Sequence, residues 1–454
     1  MHGVLALLNR DEGFEIVDKP TAMNRRSFLA ASTALGIAAG VGGLSPSAAQ
    51  AAPHPAGRTR SFRTALSVSP FTEAMLRTVS FTDGRRVART VDQMQQLFVA
   101  HGSTEVFARI ATRRSAASGD AEHGFARGLE RARLARRLRL PFNPELGLWA
   151  VYGDIAYQPE PDFRDYPGLG PAAPWTSLTI DQMLPVLRRY GAVVATQVLS
   201  TGATVNVWDL GNEIEFGMAG VAIRGAVTEA DGWTYAPPNA VDPAIGQMDF
   251  GALLAMTEPD RIAWLRAHLW PHLGRMLAAT AAGIRSVHRT AKFSAHTSTI
   301  AAGSPTLSSA FWSAMRTAGF LPDELGTSFY PTSYDYGDRM ATFKTLATTL
   351  RTTFGKPVFV AESGYPSATM SPPYAWNSPL PGYPISPQGE ANFFRDLVAW
   401  GAGSGPLSGV RPWAPDYCVG GWQPMSFFTV SGATATAEPV LDAITAGLKA
   451  VPAS

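Results

Sequence analysis

Two short stretches carry residue types that can do chemistry. "VNVWDLGNEIEFGMAG" (205–220) opens as an apolar run and breaks into Gly211, Asn212 and Glu213. "PVFVAESGYP" (357–366) is a second apolar run, broken at Glu362. Two carboxyls facing each other across a cleft supply the chemistry of glycosidic-bond hydrolysis. One holds a proton for the leaving oxygen, and the other is ionised and attacks the anomeric carbon. They can hold opposite protonation states because each charge raises the pKa of its neighbour. The bland reading of such a glutamate is a helix cap or a solvated loop residue, and that reading suits Glu215.

Carboxyls at strand ends need a scaffold that gathers those ends. Short β-leaning runs fall at 64–69, 105–110, 146–153, 205–211, 292–298, 325–330, 357–363 and 409–415. Helical patterns fall at 89–101, 180–199, 259–290 with a break at Pro271, 311–319, 339–354 and 389–403. This alternation predicts an α/β fold, a single (β/α)8 TIM barrel with extended loops. A doubly wound sheet would show a Gly-rich phosphate turn after its first strand, and none is present. No linker or repeat divides residues 60–454, which are therefore expected to be one catalytic domain.

In such a barrel, chemistry belongs at the C-terminal strand ends. Glu213 and Glu362 end the fourth and seventh runs, nearly opposite around the ring. The other polar or aromatic residues at run ends are Arg109, Tyr152, Asp154, Asn212, His296, Tyr330 and Trp413. Asn212 can bond a substrate hydroxyl beside the acid. Tyr330 can donate to Glu362, and Arg109 can keep that carboxylate ionised. Trp413 offers a flat apolar floor for a sugar ring. Trp149, Tyr157, Trp233, Tyr235, Tyr334, Tyr336, Tyr365 and Trp422 can extend subsites along a polymer. Trp149 and Trp208 suit the core equally well, and His296 suits a structural role.

Composition narrows the classes. The 454 residues are 46% hydrophobic and 16% charged, with a net charge of +2 and no Lys/Arg block, which argues against nucleic-acid binding. Cys418 is the one cysteine, so no internal disulfide and no cysteine-based metal site is possible. No cofactor and no metal are expected. "MNRRSFLAASTALGIAAGVGGLSPSAAQAAP", from Met23, carries Arg25-Arg26, a mildly apolar run and small residues at 48–52. It resembles a twin-arginine export signal, so residues 1–52 are expected to be removed and the protein to be secreted. The apolar run is too short for stable membrane insertion. The expected partner is a polysaccharide or oligosaccharide, bound by a monomer.

The two motifs together resemble the clan of (β/α)8 retaining glycosidases with an Asn-Glu acid/base on strand four and a Glu nucleophile on strand seven. Within it the chain is most similar to glycoside hydrolase family 53, the arabinogalactan endo-β-1,4-galactanases. The resemblance rests on "LGNEIEFGM", "GTSFYPT" (326–332), "ESGYP" (362–366) and "WAPDYCVGGWQPMSFFTVSG" (413–432), and spans roughly 64–445. It implies Glu213 as acid/base and Glu362 as nucleophile, with Arg109 and Asp154 at the family's strand-two arginine and strand-three aspartate. The chain departs at Val151, where the family carries histidine, and at Ala111, where it carries tryptophan. "ESGYPS" also resembles the β-1,3-glucanases of family 17, an alternative of the same chemistry. A carbohydrate-binding barrel without catalysis is the alternative of another class.

Overall fold

The apolar runs fold into one ring of parallel strands. The computed structural model describes residues 62–113, 123–150, 153–155, 158–164, 166–224, 229–230, 233–234, 240–334, 337–372 and 374–451. The segment read as an export signal lies outside them. The ring strands are β1 (Arg63–Thr64), β2 (Val106–Ile110), β3 (Phe142–Leu146), β4 (Trp208–Leu210), β5 (Phe293–Thr297), β6 (Glu324–Phe329), β7 (Val358–Ser363) and β8 (Leu407–Pro412). They pair in the order β1–β8–β7–β6–β5–β4–β3–β2. The ring closes between β1 and β2, where Thr104 N–H donates to the Thr64 carbonyl (2.8 Å) and Phe107 N–H to Ser67 Oγ (2.8 Å). Outside lie α1 (Val91–Ala100), α2 (Phe125–Leu138), α3 (Ile180–Ser200), α4 (Trp270–Val287), α5 (Pro305–Thr317), α6 (Arg339–Phe354), α7 (Pro387–Gly403) and α8 (Val440–Lys449). This is the (β/α)8 barrel that the alternation predicts. Among the described residues no helix is long and apolar enough to cross a membrane.

The helices form for local reasons that also fix their docking. In α3 a Thr179–Gln182 capping box opens the helix, and Met183, Leu187, Tyr190, Val194 and Val198 make the buried stripe. That stripe meets α4 closely enough that a Cβ at Gly283 would lie 1.9 Å from the Arg188 carbonyl oxygen. The run 259–290 is two helices, Glu258–His268 and α4, with Pro271 in the first turn of the second.

Three elements differ from the sequence reading. The third strand is Phe142–Leu146, not 146–153. Pro144 disguises it, because proline cannot donate to a ladder. The β3–β4 register slips by one residue between the pairs Phe142–Val205 and Glu145–Asp209, so Pro144 falls in the interruption, which Asn143 Nδ2 spans by donating to the Val207 carbonyl (3.0 Å). Helix α2 is arginine-rich, and its narrow stripe of Phe125, Ala132, Leu134 and Ala135 does not stand out. The C-terminal α8 is also additional; it packs along α7.

Helix α7 also carries a buried carboxyl. Glu390 of α7 is fully buried, and neither carboxyl oxygen has a hydrogen-bond partner among the described residues. Burial, and then the charge of Glu438, hold its proton on well above the usual glutamate range. The folded state thus keeps a proton that the unfolded chain releases near pH ~4.3. Stability from this site is complete below that pH and falls as pH rises toward the folded-state value. Glu390→Gln is expected to raise Tm at pH 8, with the gain fading toward pH 4; thermal unfolding followed by circular dichroism across that range checks it.

Candidate active site

Strand β4 ends in a left-handed turn. Gly211 has φ +78°, and a Cβ there would lie 2.3 Å from Ile214 Cγ2, so this position requires glycine. Asn212 follows, and then Glu213 at φ +50°, ψ +56°, leading into a short 3-10 turn, Ile214–Phe216. A non-glycine residue in this region costs about 1–2 kcal/mol. The strain turns Glu213 over the strand end instead of along the barrel wall.

Asn212 is pinned on every side. Its Oδ1 accepts from Arg109 Nη2 (2.8 Å) and His296 Nε2 (2.9 Å), and its Nδ2 donates to the Gly153 carbonyl (2.9 Å). A guanidinium only donates, so the amide oxygen must face Arg109. His296 must then donate from Nε2, which fixes its tautomer. Burial pushes the His296 pKa down to about 3, and the imidazole is neutral. Gln158 Nε2 donates to the Asn212 carbonyl (2.7 Å), tying the loop after β3 to the turn.

Glu362, at the end of β7, receives Arg109 Nη2 on Oε1 and the Tyr330 hydroxyl on Oε2 (2.9 Å). Arg109 also donates through Nε to Glu145 and lies 4.5 Å above the Trp413 ring. Glu213 is placed differently. Its Oε2 accepts a long bond, 3.3 Å, from Ile155 N–H, and the Ser328 side chain acts to favour its ionised form. Burial, then the charges of Glu362, Asp154 and Glu215, hold its proton on well above the usual range. The two carboxyls are 8% and 4% exposed.

Glu215 is corrected. It is neither a cap nor solvated but fully buried, and its oxygens accept the Ser298 N–H (2.9 and 3.1 Å) and the Ser298 hydroxyl. Burial pushes its pKa up to about 7 despite those bonds.

The structure thus brings Glu213, Glu362, Asn212, Arg109, His296 and Tyr330 together, with Asp154 acting on Glu213 electrostatically and Trp413 stacked on Arg109. Trp422 stands 6.2 Å from Tyr330 by ring centroids, and Trp376 lies between them, 5.2 Å from Tyr330 and 5.8 Å from Trp422. Trp149, Trp208 and Tyr365 are core residues, each 0% exposed. Tyr152, Tyr157, Tyr235, Tyr336 and the side chain of Trp233 lie outside the described residues.

Sequence reasoning missed the group beneath the site. Glu145 accepts from both Arg109 and Arg411, and Arg411 Nη1 donates to Asp209 Oδ2 (2.7 Å) and Asn143 Oδ1 (3.1 Å). Burial works to raise the Asp209 pKa, but Arg411 and Arg63 hold it below the usual range. The available signal was charge inside an apolar strand: Asp209 in "VWDL" and Arg411 in "GVRP".

A barrel with a proton-loaded Asn-Glu glutamate at the end of β4 and a donor-held glutamate at the end of β7 defines a class, the two-carboxyl glycoside hydrolases. The model of glycosyl hydrolase family 53 matches residues 169–437, and the chain belongs to this family. The probable arabinogalactan endo-beta-1,4-galactanase A of Aspergillus terreus is 33% identical over 93 residues, 20% of this chain and 26% of that relative. The arabinogalactan endo-beta-1,4-galactanase A of Emericella nidulans is 33% identical over 95 residues, 21% of this chain and 27% of the relative. The matched region thus spans about a quarter of these curated relatives' length. Solved structures resemble the fold more widely. The Ignisphaera aggregans GH53 catalytic domain superposes with TM-score 0.61 at 15% identity, covering 87% of this chain and 98% of that one. A structure of fungal beta-1,4-galactanases gives 0.60 at 18% identity, covering 85% and 99%.

The coupling of the two glutamates has a direct consequence. Glu362→Gln removes a negative charge beside Glu213 without changing its size. The Glu213 pKa is expected to fall in the variant, and carboxyl 13C NMR titration of both proteins measures the shift; an unchanged or raised value contradicts the coupling.

Proposed function

We propose that the protein is an exported, retaining endo-β-1,4-galactanase, acting as a monomer without a cofactor. The observation that carries this reading is the contrast between its two carboxyls. Glu213 is buried, weakly bonded and loaded with a proton, while Glu362 faces a guanidinium and a phenol hydroxyl. Family membership and the galactanases among the similar proteins support β-1,4-galactan as substrate. The twin-arginine stretch at Arg25-Arg26 supports export.

In the reaction, Glu213 gives its proton to the glycosidic oxygen while the Glu362 carboxylate attacks the anomeric carbon. The C–O bond to the leaving sugar breaks and a glycosyl ester on Glu362 forms. Glu213, now ionised, takes a proton from water, which attacks the anomeric carbon; the bond from that carbon to Glu362 breaks, the Glu362 carboxylate leaves, and the sugar is released with its configuration retained. Arg109 and Tyr330 position Glu362, and Asn212, fixed by Arg109 and His296, holds the turn that carries Glu213.

Wild-type protein is expected to release oligosaccharides from debranched β-1,4-galactan, with less activity on β-1,3-glucan, mannan and xylan. Glu362→Gln should lower kcat on the order of 10⁴-fold or more. Glu213→Gln should lower it about 10²–10⁴-fold on galactan, and far less on an aryl galactoside whose leaving group needs no proton. A 2-fluoro-galactosyl inactivator should label Glu362; mass spectrometry that finds the label elsewhere removes the nucleophile assignment. Activity requires a protonated Glu213, so the alkaline limb of kcat/KM should lie above the ordinary glutamate pKa of about 4.3.

A further inference from the structure

We propose a second subsite beside the cleft, built to hold a carboxylate carried by the glycan. It deepens the galactanase reading and rests on it for the identity of the polymer. Near the C-terminal ends of β1, β2 and β8 lies a cavity with about 30 Å³ of space open to water, whose lining includes Ser67, Ser69, His123, Arg127, Arg131 and Trp413. Arg109 also lines it, so the cavity shares a residue with the site around Glu362. A water occupies about 10–15 Å³ by this measure. The space therefore admits two oxygen-sized groups, such as those of one carboxylate, but not a sugar ring.

The chemistry of the wall selects the ligand. Arg131 is 5% exposed, and among the described residues it makes one hydrogen bond, a long one of 3.5 Å to Glu73. Glu73 is shared with Arg127 (2.6 Å), and its side chain is 39% exposed. Arg127 Nε is buried without a partner. A guanidinium has five N–H donors, and leaving them unmade in a buried place is costly. Burial pushes the Arg131 pKa down, which records the same deficit. Asp416 also acts on Arg131, but burial pushes its pKa up to about 6, and both its oxygens accept from Ser69 N–H (3.1 and 3.2 Å). Glu130 also bonds Arg127 and acts on Arg131, yet neither it nor Glu73 nor Asp416 lines the cavity, so the wall carries cationic donors and no carboxylate. A carboxylate fits it, since its two oxygens match the guanidinium fork. On a polysaccharide that group is the C6 carboxylate of a uronosyl unit. Arg109, common to the cavity lining and the Glu362 site, sets such a unit beside the cleft.

The test compares wild type and Arg131→Met on β-1,4-galactan and on the same galactan partly oxidised at C6 to uronate. The readout is the ratio of kcat/KM on oxidised to neutral polymer. Arg131→Met is expected to lower this ratio about tenfold, and Arg131→Lys to restore part of it. A ratio unchanged by Arg131→Met overturns the proposal. Ligand-observed NMR with D-galacturonate on Glu362→Gln protein, with D-galactose as control, separates the subsite from the activity. Galacturonate binding that galactose does not share, weakened by salt and by Arg131→Met, supports the subsite even if galactan is not cleaved. Equal binding of the two sugars, or none of either, overturns it even if galactan is cleaved.

Discussion

Arg109 is the residue on which the rest of this molecule converges. Its guanidinium reaches Glu145 below, Asn212 to one side and Glu362 above, with Trp413 against its face. Arg109 pairs in register with Glu145, Glu145 with Asp209, and Asp209 with Ser294, so four adjacent strands contribute one polar layer. Arg411 enters from β8 and closes the layer onto Glu145 and Asp209. An uncompensated charge here costs about 3–5 kcal/mol, because the partner stays buried. The polar layer and the orientation of Glu362 therefore depend on the same side chain. A polar layer in a barrel interior adds little stability over a hydrophobic one. What it supplies is an address: donors held at fixed positions beneath a cleft.

The layer also explains why the two glutamates are unlike. Arg109 and Arg411 serve Glu145, Asp209 and Glu362, Arg63 is paired with Glu105 and Glu324, and His296 is kept neutral by burial. Among the described residues no cation pairs with Glu213, which has a long bond from a backbone N–H, a weaker influence from Ser328, and three acidic neighbours. Its proton is held first by burial and then by those acidic neighbours, which the site's guanidinium groups, paired with other carboxylates, do not offset. Asn212 links the halves, since one oxygen accepts from the cation that faces Glu362 while its backbone precedes Glu213.

Much of this was legible in the sequence. Glu213 and Glu362 stand out because glutamate ends an otherwise apolar run, and the eightfold alternation places those ends on one rim. Tyr330 and Arg109 were legible because strand-end position implies that rim. The third strand was not, because Pro144 reads as a terminator and its tolerance depends on a register slip that only pairing creates. Glu145, Asp209 and Arg411 were not, because a charge inside a strand has meaning only when its partner on a distant strand is known. Cavity walls assembled from β1, α2 and β8 have no local pattern at all.

Glu215 shows how environment overrides spacing. It lies two residues from Glu213, shares its acidity in water, and is buried like it. Ser298 nevertheless gives it a backbone N–H and a hydroxyl, so its carboxyl is bound to the protein and not offered to the cleft. Trp270 Nε1 donates to its carbonyl (2.9 Å) and locks the 3-10 turn against α4. The positive φ at Glu213 is what separates the two fates. An extended residue there would continue the strand and remove the turn that carries Glu215 to Ser298. The strained backbone sends the first glutamate to the cleft and the second to the core, and the second then holds the turn in which the strain is stored.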